Sequence, residues 1–248
     1  AKIEGQPVHC DGSPSTRRPA EPAPRGSVHD TFSVIFLPIL RCNCTCLHCF
    51  ERMRDGGPRE GLWKEAFGWM RSLAEHLECR TLRVYWQGGE IFCLSPDQVR
   101  EGLEAAAAAF QSSDTALRHR FQTNLLLYDS PWGDVLLGTG ERQLGSSLDY
   151  PNLYRRTAVL SGEAYNREWL RKKAQAKRDG FDIGVIAVIN PGTIGVGAER
   201  FYRYYRDEAR VDRLQINLPF PGRPGDPSHL DLDRLAEFLC GLYETWLA

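Results

Sequence analysis

The sequence predicts a parallel α/β protein, either an open barrel or a doubly wound sheet. Three observations lead there. From residue 31 onward, strand-like and helix-like segments alternate about six times. The segment Ile183-Gly-Val-Ile-Ala-Val-Ile189 is almost continuously apolar, the pattern of a parallel strand covered on both faces. The segments with unusual chemistry follow the strands, where parallel folds gather their functional groups.

Taken in order, residues 1–30 are rich in Pro, Arg, Ser and Gly and show no period. They read as a flexible leader, ahead of a core domain over residues 31–248. Phe32 to Leu37 reads as the first strand. A helix follows with Leu62, Ala66, Trp69, Leu73 and Leu77 on one face. Thr81 to Trp86 is the second strand. Pro96 to Gln111 is a helix, with Ser95 as its cap and Pro96 in its first turn. Phe121-Gln-Thr ends a third strand, and Gln143 to Leu148 is the fourth. Glu163 to Asp179 is a helix stopped by Gly180. Ile183 to Ile189 is the fifth strand, Glu199 to Glu208 a helix, and Arg213 to Leu218 the sixth strand. The last helix sets Leu232, Leu235, Leu239, Leu242 and Trp246 in register. It ends without a cap or stop signal, so the core domain is expected to be truncated at its carboxyl end.

Composition narrows the classes. The 248 residues suit one large domain or two small ones. The formal net charge is -1, so no overall field favours nucleic acid or an anionic membrane. No apolar run nears the roughly 18 residues of a membrane span; the longest, Phe32 to Leu40, is broken by Ser33 and Pro38. Four of the eight cysteines, Cys42, Cys44, Cys46 and Cys49, fall within one short loop. That is metal or redox chemistry in a reducing, cytoplasmic compartment rather than a disulfide scaffold.

Within the loop, Cys42, Cys46 and Cys49 have the spacing C-x3-C-x2-C. A cubane of four irons takes one outside ligand per iron, so three thiolates leave one iron open for a substrate or cofactor. Other readings stand beside this one: a structural zinc site, though no second Cys-x2-Cys exists; a redox pair; or thiols packed by chance. Cys44 has no role in the pattern. Gly192-x2-Gly-x-Gly197 lacks the order and the acidic partner of a dinucleotide fingerprint and reads as a loop.

The cysteine triple after a first strand, followed by Trp86-Gln-Gly-Gly-Glu90, resembles the radical S-adenosylmethionine (radical SAM) superfamily. Phe121-Gln-Thr-Asn124 and Leu144-Gly-Ser-Ser-Leu-Asp149 extend the likeness to the anaerobic sulfatase-maturating enzymes and related peptide maturases with a SPASM extension. The resemblance covers roughly residues 32–247. It implies a partial (β/α)6 barrel whose Cys42, Cys46 and Cys49 bind a [4Fe-4S] cluster, with S-adenosylmethionine chelating the open iron. It places His48 near the adenine and Gly88, Gly89 and Glu90 at the SAM amino group. Ser147 and Asp149 fall at the ribose or sulfonium end, and Asn190 within reach of SAM. Gln122 and Asn124 face either SAM or substrate.

The implied reaction is reductive cleavage of SAM, fed by a low-potential donor of flavodoxin or ferredoxin type. The resulting 5'-deoxyadenosyl radical removes hydrogen from a peptide or protein side chain. Two alternatives remain, the same chemistry on a small metabolite such as a sugar or amino acid, and a zinc-binding interaction protein. The chain departs from the maturase pattern at Ile91, where Pro is common, at Tyr150, where Gly is, and at Cys44. It also lacks the many cysteines of the SPASM segment, since only Cys240 follows Cys93.

Overall fold

A computed structural model describes residues 30–49, 58, 61–219 and 230–248. Apart from Asp30, the expected leader lies outside the described residues. Strand β1 (Thr31–Phe36) is followed by helix α1 (Leu62–His76), β2 (Thr81–Trp86), a single 3-10 turn (Ile91–Cys93), α2 (Pro96–Phe110) and β3 (Ala116–Gln122). Then come α3 (Ser130–Leu137), β4 (Gln143–Ser147), α4 (Gly162–Arg178), β5 (Asp182–Val188), α5 (Pro191–Val196) and α6 (Ala198–Arg203). A π-turn (Tyr204–Glu208), β6 (Leu214–Asn217) and α7 (Leu232–Leu247) complete the order.

The six strands pair in the order β1-β2-β3-β4-β5-β6, every pair parallel. That order decides between the two architectures left open by the sequence. A doubly wound sheet reverses its strand order and so puts helices on both faces. An order that never reverses sends every right-handed crossover to the same face, and the sheet curls with its helices outside. The molecule is therefore a half-barrel of six parallel strands.

The covered face carries the core: Leu82, Val84 and Trp86 of β2, Phe121 of β3, Leu144 of β4, and Ile183, Val185 and Ala187 of β5 are all buried. Trp86 stacks on Phe121 at 5.6 Å between ring centroids and donates from Nε1 to His119 Nδ1 at 3.0 Å. Strand β5 corrects the expectation of two covered faces. Gly184, Ile186 and Val188 alternate with the buried set and stay partly exposed, because they face the open inside of the curl.

Two helix faces also differ from the sequence reading. Helix α1 buries Phe67, Met70 and Ala74, while Trp69 is 61% exposed. Helix α7 buries Leu235, Phe238 and Leu242, while Leu232, Leu239 and Trp246 remain exposed. In both sequences two apolar stripes overlap, and periodicity alone mixed members of the two: Leu235 and Leu242 are buried as expected, while Trp69, Leu232, Leu239 and Trp246 are not. Helix α3 went unread because it is short and contains Gly133; Asp129 caps it at Trp132 N (3.4 Å), and Pro131 sits in its first turn.

Candidate functional site

The chemistry sits at the carboxyl ends of the strands. The cysteine loop leaves β1 and is clamped from two sides. On one side it pairs with the segment between β4 and α4: Thr45 N donates to Arg156 O (2.8 Å), Leu47 N to Tyr154 O (3.0 Å), and Arg156 Nε to Thr45 O (3.1 Å). On the other side lies the Gly88-Gly89-Glu90 segment beyond β2. Gly89 N donates to Ile39 O (3.0 Å) and Glu90 N to Arg41 O (2.9 Å). A Cβ on Gly88, whose φ is 143°, would stand 2.1 Å from Ile39 O, and one on Gly89 would stand 2.3 Å from Leu40 O. These glycines are needed so that one backbone can lie directly on another.

Within the loop the thiols divide. Cys44 is buried, with its Sγ 3.9 Å from Tyr165 Oη and receiving a bond from Asn124 Nδ2 at 3.3 Å. Its amide donates to Cys42 Sγ at 3.3 Å. Cys42, Cys46 and Cys49 are only half-buried. The closeness of the Cys44 thiol to Cys42 and Cys46 drives its own pKa up while it lowers theirs. With further help from the Arg155 charge and the Arg156 backbone, Cys46 comes down to about 6. Cys44 thus contributes a backbone donor to Cys42 Sγ while its own thiol stays buried against Tyr165 and Asn124.

The donor set suits three thiolate ligands. Among the described residues no three His, Cys, Asp or Glu side chains converge on a single ion. Ligands of a cubane have no need to, because each binds a different iron.

Glu90 is 2% exposed and its carboxylate is occupied by the chain itself. It accepts from Thr123 Oγ1 (2.5 Å) and Phe92 N (3.1 Å) on Oε1, and from Asn124 N (2.6 Å) on Oε2. Burial pushes its pKa up to about 7 against the pull of those bonds. Asn124 in turn donates from Nδ2 to Asn43 Oδ1 at 2.7 Å. Glu90 and Asn124 therefore brace the ends of β2 and β3 against the cysteine loop.

A second buried group lies behind the cysteines. Asp149 is 1% exposed; its Oδ1 accepts from Val188 N at 2.9 Å. Its Oδ2 is 2.8 Å from Arg155 Nε and 3.9 Å from His48 Nε2. The Arg155 contact is an ion pair poorly aligned for a hydrogen bond, since both atoms lack one among the described residues. His48 Nδ1 and Asn166 Oδ1 are likewise buried without a partner there. Burial, then the Arg155 charge, lower the His48 pKa and favour the neutral ring. Unsatisfied buried polar groups cost on the order of 1–3 kcal/mol each, so this cluster is ready for a polar ligand.

Ser147, partly exposed at the end of β4, accepts from Gln122 Nε2 at 3.3 Å. Asn190 is fully buried and caps α5, accepting from Thr193 N (3.1 Å) and donating to Pro151 O (3.0 Å). Its turn role accounts for both ends of its amide. Arg155 was missed by the sequence reading. It follows Asp149 at no diagnostic spacing, and only the folded loop brings the two together.

Inside the curl lies a cavity of about 1090 Å³, lined among others by Tyr85, Arg120, Gln122, Gly145, Gly184 and Arg213. Among the described residues no helix is long and apolar enough to cross a membrane.

No family model and no curated protein matches the chain. Solved structures do match. The structure of anSMEcpe with bound AdoMet and the Kp18Cys peptide gives a TM-score of 0.75 at 18% identity over 87% of this chain and 60% of that one. Streptococcus suis SuiB bound to S-adenosylmethionine gives 0.55 at 16% identity, over 86% of this chain and 47% of that one. Methylornithine synthase (PylB) gives 0.51 at 14% identity, over 88% of this chain and 63% of that one. All three are radical SAM enzymes, and this chain has their fold. It spans 60% of the length of the anSMEcpe chain.

Proposed function

We propose that this chain is the catalytic core of a radical SAM enzyme acting on a peptide or protein side chain. One observation carries the reading: three half-buried cysteines with cubane spacing stand on the carboxyl rim of a half-barrel similar to structures that hold AdoMet. When bound, a [4Fe-4S] cluster would supply the electron that breaks the sulfonium bond of SAM, giving a 5'-deoxyadenosyl radical that takes hydrogen from the substrate. A flavodoxin- or ferredoxin-type donor would feed the cluster.

The chain's own residues have separable tasks in this reading. Cys42, Cys46 and Cys49 ligate three irons. Cys44 and Asn124 fix the loop through hydrogen bonds to its thiols and to Asn43. The buried His48, Asp149 and Arg155 offer unsatisfied polar atoms to the polar groups of SAM, and Ser147 offers a hydroxyl at the rim. Gly88, Gly89 and Glu90 hold the loop in place from below. A peptide substrate is favoured over a small metabolite because the similar structure with the TM-score of 0.75, anSMEcpe, is solved with a bound peptide.

Anaerobic reconstitution tests the ligand set. The expected result is about four irons per chain, lost when Cys42, Cys46 and Cys49 are all replaced by Ala and retained in Cys44→Ala. Zinc without iron–sulfur absorption would support the interaction-protein alternative and overturn this reading.

A further inference from the structure

We propose that Asn166, Thr193 and Tyr205 are positioning residues that hold the Asp149 carboxylate in its binding position on the rim before S-adenosylmethionine arrives. The proposal rests on the radical SAM reading above and adds three residues to it, each acting through the backbone of the segment that follows β4.

Four successive carbonyls of that segment each take a side-chain donor. Tyr205 Oη donates to Leu148 O (2.7 Å), Asn166 Nδ2 to Asp149 O (2.9 Å), Thr193 Oγ1 to Tyr150 O (3.0 Å) and Asn190 Nδ2 to Pro151 O (3.0 Å). The donors come from the π-turn, α4 and the start of α5, 17 to 57 residues away along the chain, and all four residues are buried. Buried carbonyls must find donors of some kind. Here three separate elements supply them to one short run, and Asp149 lies within it. Asn166 uses its Nδ2 on Asp149 O and on Tyr204 Oη (3.3 Å), while its Oδ1 stays buried with no partner among the described residues. An apolar side chain would avoid that cost, so the donor is what an Asn contributes at this position. Asn190, expected within reach of SAM, acts instead from behind the carboxylate.

Ring packing adds a further fixed point. Tyr150, where the maturases commonly carry Gly, stacks on Tyr204 with ring centroids 3.8 Å apart and planes 11° from parallel. The Arg200 guanidinium lies 4.8 Å from the Tyr150 centroid. A glycine would make neither contact. Tyr204 and Tyr205 are successive residues of the π-turn, and both reach the same segment, one through its ring and the other through its hydroxyl. Such turns recur at functional sites. With the backbone held, the carboxylate is aimed: Oδ1 accepts from Val188 N (2.9 Å), and Oδ2 lies beside Arg155 and His48. A ligand that meets a carboxylate already fixed bears no ordering cost for the segment that carries it.

The test uses the full chain, anaerobically reconstituted and with its iron counted, and SAM itself as the probe in titration calorimetry. The Tyr205→Phe/Thr193→Val double variant removes two hydroxyl donors and keeps the shape of both side chains. It should bind SAM about tenfold more weakly at unchanged iron content, and Tyr205→Phe alone about threefold more weakly. Tyr205→Phe/Thr193→Ser, which restores one hydroxyl, should recover part of the loss. Val99→Ala, a buried truncation in α2, should lower stability and leave SAM affinity as it is. Amide hydrogen exchange reads the segment directly. In the wild type Leu148, Asp149 and Tyr150 should be equally protected with and without SAM; in the double variant they should be protected only with it. Wild-type affinity in the double variant, or a wild-type segment that gains protection only when SAM binds, would overturn the proposal. Failure of the wild type to bind SAM at a full cluster sinks the radical reading and this inference with it, whereas SAM binding that ignores both hydroxyls sinks only this inference.

Discussion

The carboxylate of Glu90 sits between the ends of β2 and β3 with three hydrogen bonds from Thr123, Phe92 and Asn124. Its folded pKa of about 7 lies above the 4.5 of an ordinary glutamate, so the folded state holds the proton more firmly. The associated stability is fully present below pH 4.5 and is lost as the pH rises to about 7. Glu90→Gln cannot titrate and lacks that decline. Urea unfolding at both ends of this window should show the wild type losing on the order of 3 kcal/mol relative to the variant. A stability difference independent of pH would contradict the assignment. Glu90 was legible in the sequence because Gly-Gly-Glu follows a strand, but its bracing role was not. The pattern suggests a carboxylate facing a ligand; only folding reveals that Thr123 and Asn124 occupy it. Arg155 was illegible for the converse reason, since its partner Asp149 is made by the path of a loop.

Among the elements, most strands and the longer helices could be read directly from alternation and caps. Ser95 and Gln98 form the capping box of α2, as Ser95-Pro96 had suggested. Periodicity failed where apolar residues sit on neighbouring faces. Helix α7 is the sharpest instance: Phe238 is 5% exposed and Leu239 is 39% exposed, yet the sequence register favoured Leu239. Phe238 packs edge-on against Phe201 of α6 at 5.5 Å. Phe238→Ala should cost about 3–5 kcal/mol, whereas Leu239→Ala should cost less than about 1 kcal/mol. Chemical denaturation of the two variants checks this, and a larger loss at Leu239 would return α7 to the register read from the sequence.

For the molecule as a whole, the monotonic strand order has two consequences. It gathers the cysteine loop, Glu90, Asn124 and Asp149 on one rim, and it leaves the inner face without helices. The rim was anticipated from residues that follow strands. The inward pair Arg83 and Arg118 was not, because the two lie far apart in a chain of net charge -1 and become partners only through the register of β2 and β3. The central claim is that the rim binds SAM at a cluster and cleaves it. The most direct measurement incubates the anaerobically reconstituted chain with SAM and dithionite and quantifies the products. The account predicts 5'-deoxyadenosine and methionine in equal amounts, and none from the variant lacking Cys42, Cys46 and Cys49. Intact SAM beside a fully reconstituted and reduced cluster would contradict it.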